Sequence, residues 1–203
     1  MIMQRQATWI VWGVVLIGCS EQPKPAAEVP IAKAPAVDAP KVPKPSTISD
    51  STKSEPFEAT VAGFKFKVPA DWVEQPPKSQ FVLGEFSIPG EGGTARLTLS
   101  SAGGGIEANV ERWRGQFHRG PTDPEPRESE IMFDGQKGTL VELAGTYTDM
   151  FGGGAPNKSW RMLGVAVPLG STNYFVKLTG PATIVTPRRE EFVKFVESAK
   201  MQK

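Results

Sequence analysis

From Phe57 onward apolar and polar side chains alternate, the period-two pattern of strands with one buried face. Phe57, Ala59 and Val61 form one such set and Phe64, Phe66 and Val68 the next, with Ala62-Gly63 between them as a tight hairpin turn. Pro69-Ala70-Asp71-Trp72 ends the second strand. The alternation predicts further strands at Phe81 to Ile88, Ala95 to Ser101, Glu130 to Phe133, Gly138 to Ala144, Arg161 to Val167 and Tyr174 to Thr179, and Asp134-Gly135 marks a second hairpin turn. Two segments change period. Ile106, Val110, Trp113 and Phe117 recur at helical spacing with Glu111, Arg112 and Arg114 on other faces, and His118 falls at the end of that helix. Near the end, Thr186 can cap and Pro187 suits a first helical position, after which Phe192, Phe195, Val196 and Ala199 line a second apolar stripe. Both stripes need a sheet face to cover, so the pattern predicts an α+β domain over 56–203: an antiparallel sheet packed against two amphipathic helices.

Before Phe57 the pattern is different. Ala7 to Ile17 is an apolar run behind Arg5, with small Gly18 at its end. A spanning helix needs roughly 20 apolar residues, so this run is too short and predicts a secretory signal over 1–18. Leu16-Ile17-Gly18-Cys19 resembles the lipobox of bacterial lipoproteins. The resemblance implies cleavage before Cys19, a diacylglycerol on its sulfur and acylation, as by palmitate, of its new amino group. A plain signal peptide with an incidental cysteine is the alternative. Two acyl chains give a stable anchor where one gives marginal binding, so a lipidated Cys19 would hold the protein at a membrane unaided. Inner and outer membranes stay open: Ser20 stands where enteric lipoproteins retained at the inner membrane carry aspartate.

Ser20 to Glu55 repeats Pro, Ala, Lys and Val and contains no aromatic residue. Such a segment buries too little apolar area to offset its ordering entropy, and 19–55 is expected to be a lipidated cysteine followed by a disordered tether. Fully extended in polyproline II form it would reach on the order of 110 Å. It serves either as a passive spacer or as a Pro/Lys-rich contact with the cell wall or a partner.

The order of elements in the folded part, with Gly63-Phe64-Lys65-Phe66-Lys67-Val68-Pro69-Ala70-Asp71-Trp72 near the start and Glu191 to Ala199 as closing helix, resembles the PsbP-like and DcrB-like family of exported domains. The likeness covers Phe57 to Ser198. It implies the α+β fold already read from the pattern, and an accessory or assembly role rather than catalysis; the shared stretch contains no catalytic residue to carry over.

Charge sharpens the function classes. The chain holds 23 basic and 22 acidic side chains, a formal charge of +1, and loses one of the basic ones with the signal. A near-neutral exported domain lacks the basic footprint of a nucleic-acid binder. With its one cysteine given to lipid, the domain has no thiol for a disulfide, so packing must hold the fold.

Candidate chemistry is sparse. Ser101-Ala102-Gly103-Gly104-Gly105 stands between a strand and a helix, where backbone amides can hold an anion, but lacks the Lys-Ser/Thr of a phosphate loop and fits a plain connection. His118 is the sole histidine and has no evident nucleophile or carboxylate beside it, and the usual zinc sets cannot be assembled. Gly-x-Ser-x-Gly is missing. Asp123, Glu125, Glu128 and Glu130 crowd a Pro-rich stretch without the spacing of a calcium loop, and fit a solvated acidic loop. No metal or cofactor is expected. Trp72, Trp113 and Trp160 fit core or rim aromatics.

Thr146 to Trp160 is the more suggestive segment. Tyr147, Met150 and Phe151 are followed by Gly152-Gly153-Gly154 and Ala155-Pro156-Asn157, a loop that places large apolar groups where recognition loops carry them. Met150 and Phe151 either fold back over the core or, with Tyr147 and Trp160, form a binding surface. The expected function is therefore a non-enzymatic binding or assembly module, lipid-anchored in the cell envelope and facing the periplasm, with an envelope protein as partner. The alternative is a lipoprotein that holds a small ligand in a pocket between sheet and helices.

Overall fold

The computed structural model describes residues 55–149 and 153–202. The described residues all fall in one compact unit. The apolar leader, Cys19, the tether as far as residue 54, and Met150 and Phe151 lie outside the described residues.

The first hairpin follows from its turn chemistry. Strand β1 (Phe57–Val61) pairs antiparallel with β2 (Phe64–Val68), and Ala62 (φ 49°) and Gly63 (φ 83°) hold both central turn positions in the left-handed region. A two-residue turn of that hand matches the twist of the strands it joins. Short β11 (Lys200–Met201) adds to the other edge of β2.

The remaining strands form one eight-stranded sheet. These are β3 (Val73–Gln75), β4 (Val82–Gly90), β5 (Gly93–Ala102), β6 (Phe117–His118), β7 (Arg127–Phe133), β8 (Gln136–Tyr147), β9 (Asn157–Leu169) and β10 (Thr172–Pro181). They lie in the order β3-β4-β5-β10-β9-β8-β6, with β7 on the other part of β8's outer edge, and all pairings are antiparallel. The hairpin predicted at Asp134-Gly135 joins β7 to β8, again with both residues at positive φ.

Alternation gives this sheet two apolar faces, each covered differently. Leu97, Leu99, Leu163, Val165, Val167, Val176 and Leu178 face the main core, which is closed by the β1–β2 hairpin, by α2 (Ala182–Val185) and by α3 (Arg189–Glu197). Phe195 of α3 stacks on Phe66 with ring centroids 4.8 Å apart and also meets Trp72 at 5.1 Å and Phe86 at 6.0 Å. On the opposite face α1 (Ile106–Gly115) lays Val110 and Trp113 over Val141, Leu143, Met162, Ala166 and Phe175. The architecture is α+β, a mostly antiparallel sheet with few helices, as the alternation predicts.

Several local expectations are corrected. Helix α1 stops at Gly115, and Phe117 and His118 are extended, paired with Tyr147 and Thr146. The unpaired end of β8 offers ladder partners there, and the Phe117 ring meets Tyr147 at 5.2 Å. Thr186 does not cap α3. It ends α2 in a helical conformation (φ −60°, ψ −52°), its backbone N–H donating to Ala182 O, whereas an N-cap needs extended backbone. Phe81 precedes β4 and is 72% exposed. Glu128 and Glu130 lie on β7 rather than in a loop.

One ionic cluster ties α3 to the sheet. The Glu142 carboxylate on β8 is almost fully buried and accepts from Arg161 Nη2 at 2.8 Å and from Arg189 Nε at 2.9 Å. Burial pushes this carboxyl up, but the bonds and charges of Arg189 and Arg161 outweigh it and hold it below its ordinary 4.5. A depressed carboxyl stabilises the fold above its unfolded pKa, and the benefit disappears as pH falls through the folded value. Glu142→Gln is expected to cost about 1 to 2 kcal/mol at pH 7, since exposure of Arg189 weakens the pairing. Urea midpoints measured from pH 7 down to pH 3 should show the variant and the parent converging on the acid side; a constant offset would refute the ionic origin.

Candidate functional site

Among the described residues, α1 covers only half of the sheet face that carries it. Beyond the helix the sheet rows continue with polar side chains, and their register fixes which ones meet. Thr98 on β5 stands opposite Lys177 on β10, and Arg96 opposite Thr179. Trp160 on β9 stands opposite Pro181 on one side and Gly145 on the other. A bulge between Gly145 and Tyr147 then shifts the register of β8 and places Tyr147 opposite Asn157. Apart from Gly145 and Pro181, these groups line, together with Thr94, Asp149 and Gly154, a hollow of about 320 Å³.

Its aromatic wall is a short ladder. The Phe117 ring is tilted against Tyr147, and Tyr147 is stacked on Trp160 with centroids 5.2 Å apart and planes 1° from parallel. Both Tyr147 and Trp160 are half-buried. Burial pushes the Tyr147 phenol up, and the charge of Asp149 adds to that.

The floor is cationic but strongly restrained. Lys177 Nζ donates to Gln116 Oε1 at 2.6 Å and sits 5.5 Å from the centre of the Tyr147 ring. Burial pushes its ammonium down to about 8, with Asp149 opposing and Arg96 reinforcing the shift. Arg96 is held as a bidentate fork by the buried Glu85 carboxylate on β4, Nε to Oε1 at 2.8 Å and Nη2 to Oε2 at 2.7 Å. That pair holds the Glu85 carboxyl below its ordinary value, the Arg96 hydrogen bond being the largest cause. Thr179 Oγ1 is buried against the hollow and has no hydrogen-bond partner among the described residues.

Of the residues predicted to bind, the fold brings Tyr147 and Trp160 into ring contact, while Met150 and Phe151 lie outside the described residues. Trp72 and Trp113 are buried, in the main core and under α1 respectively. His118 is exposed on β6, and the Gly103–Gly105 stretch is a plain connection whose Gly104 carbonyl accepts from Asn173 Nδ2 at 2.6 Å. The acidic side chains are dispersed among partners: Asp123 Oδ2 accepts from Gly120 N, Glu125 pairs with Arg119, Glu128 with Arg114 and Glu130 with Lys137. Among the described residues no group of metal-ligating side chains comes together, and no helix is long and apolar enough to cross a membrane.

Arg96, Lys177 and Thr179 escaped the sequence reading. The available signal was a lysine in the apolar middle of a strand, between Val176 and Leu178, since a central strand seldom carries a charge without a partner or a cavity to receive it.

No family model matches the chain, and no curated protein does. Solved structures do. Cyanobacterial PsbP (CyanoP) from Synechocystis sp. PCC 6803 is similar at 13% identity over 73% of this chain and 93% of that one, with a TM-score of 0.48. A Bacteroides thetaiotaomicron protein shares 13% identity over 74% of this chain, with a TM-score of 0.45, and this chain spans about half (49%) of its length. A Pseudomonas aeruginosa protein of unknown function shares 11% identity over 73% of this chain and 99% of that one, with a TM-score of 0.41.

Proposed function

We propose that the chain is a lipid-anchored, non-enzymatic binding or assembly module of the bacterial cell envelope. Its folded domain faces the periplasm and recognises a partner or small ligand through the open half of the large sheet. The observation that carries the binding part is the hollow itself, where a half-buried Tyr147–Trp160 stack stands beside Lys177, Arg96 and a Thr179 hydroxyl that has no partner among the described residues. Concave sites with a few converging polar groups are where proteins hold ligands. This relocates the ligand alternative: the site lies on the exposed sheet face beside α1, whereas the space between the sheet and α3 is filled by aromatic side chains.

A lowered lysine in a hollow is also what an acid–base enzyme would need. The partners of Lys177 favour binding, because Gln116 fixes the ammonium and no nucleophilic hydroxyl or thiol is paired with it among the described residues.

The anchor rests on Leu16-Ile17-Gly18-Cys19. Cys19→Ser is expected to move the protein from the membrane fraction to the soluble periplasmic fraction, read by immunoblotting after a high-salt wash. Retention of the variant on washed membranes would overturn the anchoring.

A further inference from the structure

We infer that the turn at Ser79–Val82 is a second membrane contact, which presents Phe81 and Leu83 to the lipid surface that holds Cys19 and so sets how the domain faces that surface. The inference rests on the anchoring proposed above and adds an interaction surface to it.

Phe81 is the most exposed large apolar side chain among the described residues, and Leu83, two positions on, is 42% exposed. The backbone holds the ring outward. Val82 N donates to Ser79 O at 3.0 Å and Phe81 N to the Ser79 hydroxyl at 3.3 Å, which closes a turn with Gln80 and Phe81 as its central residues. The base of the turn is pinned as well, because Lys78 N donates to the buried Glu85 carboxylate at 3.3 Å. Phe81 is therefore displayed on a fixed support.

Size decides between a protein and a lipid partner. A stable protein interface takes about 20 to 30 residues a side, and a single turn presents far fewer. A bilayer needs no complementary surface: binding to it scales with the apolar area inserted, so one or two side chains suffice for a weak contact. Charge does not oppose entry into a headgroup layer. From Gln75 to Gly84 the chain holds one cation, Lys78, and no carboxylate, and Glu85, which follows, is buried and bonded to Arg96. The length of chain ahead of the domain and the place where it joins complete the argument. β1 begins at Phe57, and its last residue, Val61, packs on Gly84, where an added Cβ would come 2.7 Å from Val61 Cγ1. Counted along both strands at about 3.3 Å per residue, the tether joins the domain within about 25 Å of the turn. The tether itself reaches on the order of 110 Å at full extension, so an anchored domain keeps the turn close to the bilayer, and a contact made effectively intramolecular needs little affinity of its own.

The test has two arms, both with vesicles of phosphatidylethanolamine and phosphatidylglycerol. In the first, the full mature chain carrying Cys19→Ser is sedimented with vesicles at millimolar lipid, so that the turn acts without the anchor. A weak partition is expected, reduced on the order of tenfold by Phe81→Ala, the effect of withdrawing one large apolar side chain from an apolar surrounding. The melting temperature should be unchanged, because the ring is 72% exposed. Such a contact is too weak to hold an unlipidated chain through a wash. In the second arm, hydrogen exchange of the lipidated protein in the same vesicles is compared with that of the lipid-free chain, and the amides of 79–84 should gain protection that Phe81→Asp removes. The inference is overturned if Phe81→Ala partitions as its parent does, if 79–84 gains no protection in the anchored protein, or if the protection appears only when envelope proteins are added. Release of Cys19→Ser from washed membranes with no lipid contact at the turn would sink this inference alone, and partition through Phe81 by a chain whose native Cys19 proves unmodified would sink only the anchoring.

Discussion

Phe195→Ala is expected to remove about 3 to 5 kcal/mol of stability, the range for truncating a fully enclosed phenylalanine. Phe195 is 1% exposed and lies where three pieces of chain meet: Phe66 from the β1–β2 hairpin, Trp72 just after it and Phe86 from the large sheet. Truncation opens a void bounded by rigid rings on separate elements, so the walls cannot close in together. In a domain of this size each kcal/mol moves the melting temperature by about 2 to 4 °C, and a fall of roughly 6 to 20 °C should be seen by calorimetry. Phe195→Leu keeps most of the volume and should lose well under half as much. A loss below about 1 kcal/mol for the alanine variant would mean that α3 does not close the core.

The contrast between what was legible in the chain and what was not has a physical basis in these same elements. Ala62-Gly63 and Asp134-Gly135 were legible because a two-residue hairpin turn demands residues that tolerate positive φ, and the flanking alternation fixes the register. Ile106, Val110 and Trp113 were legible because their spacing has no other use. Phe117 continued that spacing by coincidence, and its fate was decided by an unpaired stretch of β8 more than 25 residues further on in the chain. β3, β6, β11 and α2 are two to four residues long, too short for any period to register, and exist because a neighbouring edge or core receives them. The site divides in the same way. Tyr147 and Trp160 stood out as large apolar groups around a glycine-rich segment, whereas Arg96, Lys177 and Thr179 acquire meaning only through the pairing of β5 with β10, a contact between residues some 80 positions apart. Pattern reveals faces; only topology reveals which residues share one.

Gly164→Val should separate the two halves of the face that carries the site. Gly164 lies on β9 beneath α1, and a Cβ built there would come 2.6 Å from Cζ3 and 2.9 Å from Cε3 of Trp113. The indole packs directly on the strand backbone and sits edge-on to Phe175, centroids 5.7 Å apart. A valine leaves two ways out. Either the contact persists under strain, costing about 1 to 3 kcal/mol, or Trp113 is expelled and α1 loses its main anchor, a loss approaching the about 3 to 5 kcal/mol of removing a core tryptophan. The second is expected, because the obstructing atoms belong to a rigid ring and Met162 Cε already fills the adjacent space at 3.0 Å. Hydrogen exchange should then show α1 amides losing protection while β9 and β10 retain theirs, and Trp113 emission should shift to the red. Adding Trp113→Leu to Gly164→Val should restore part of the loss, since the two residues are in contact and their effects are not additive. Equal loss of protection throughout the sheet, with no rescue by the second substitution, would show instead that Gly164 is needed by the strand itself rather than by the helix that rests on it.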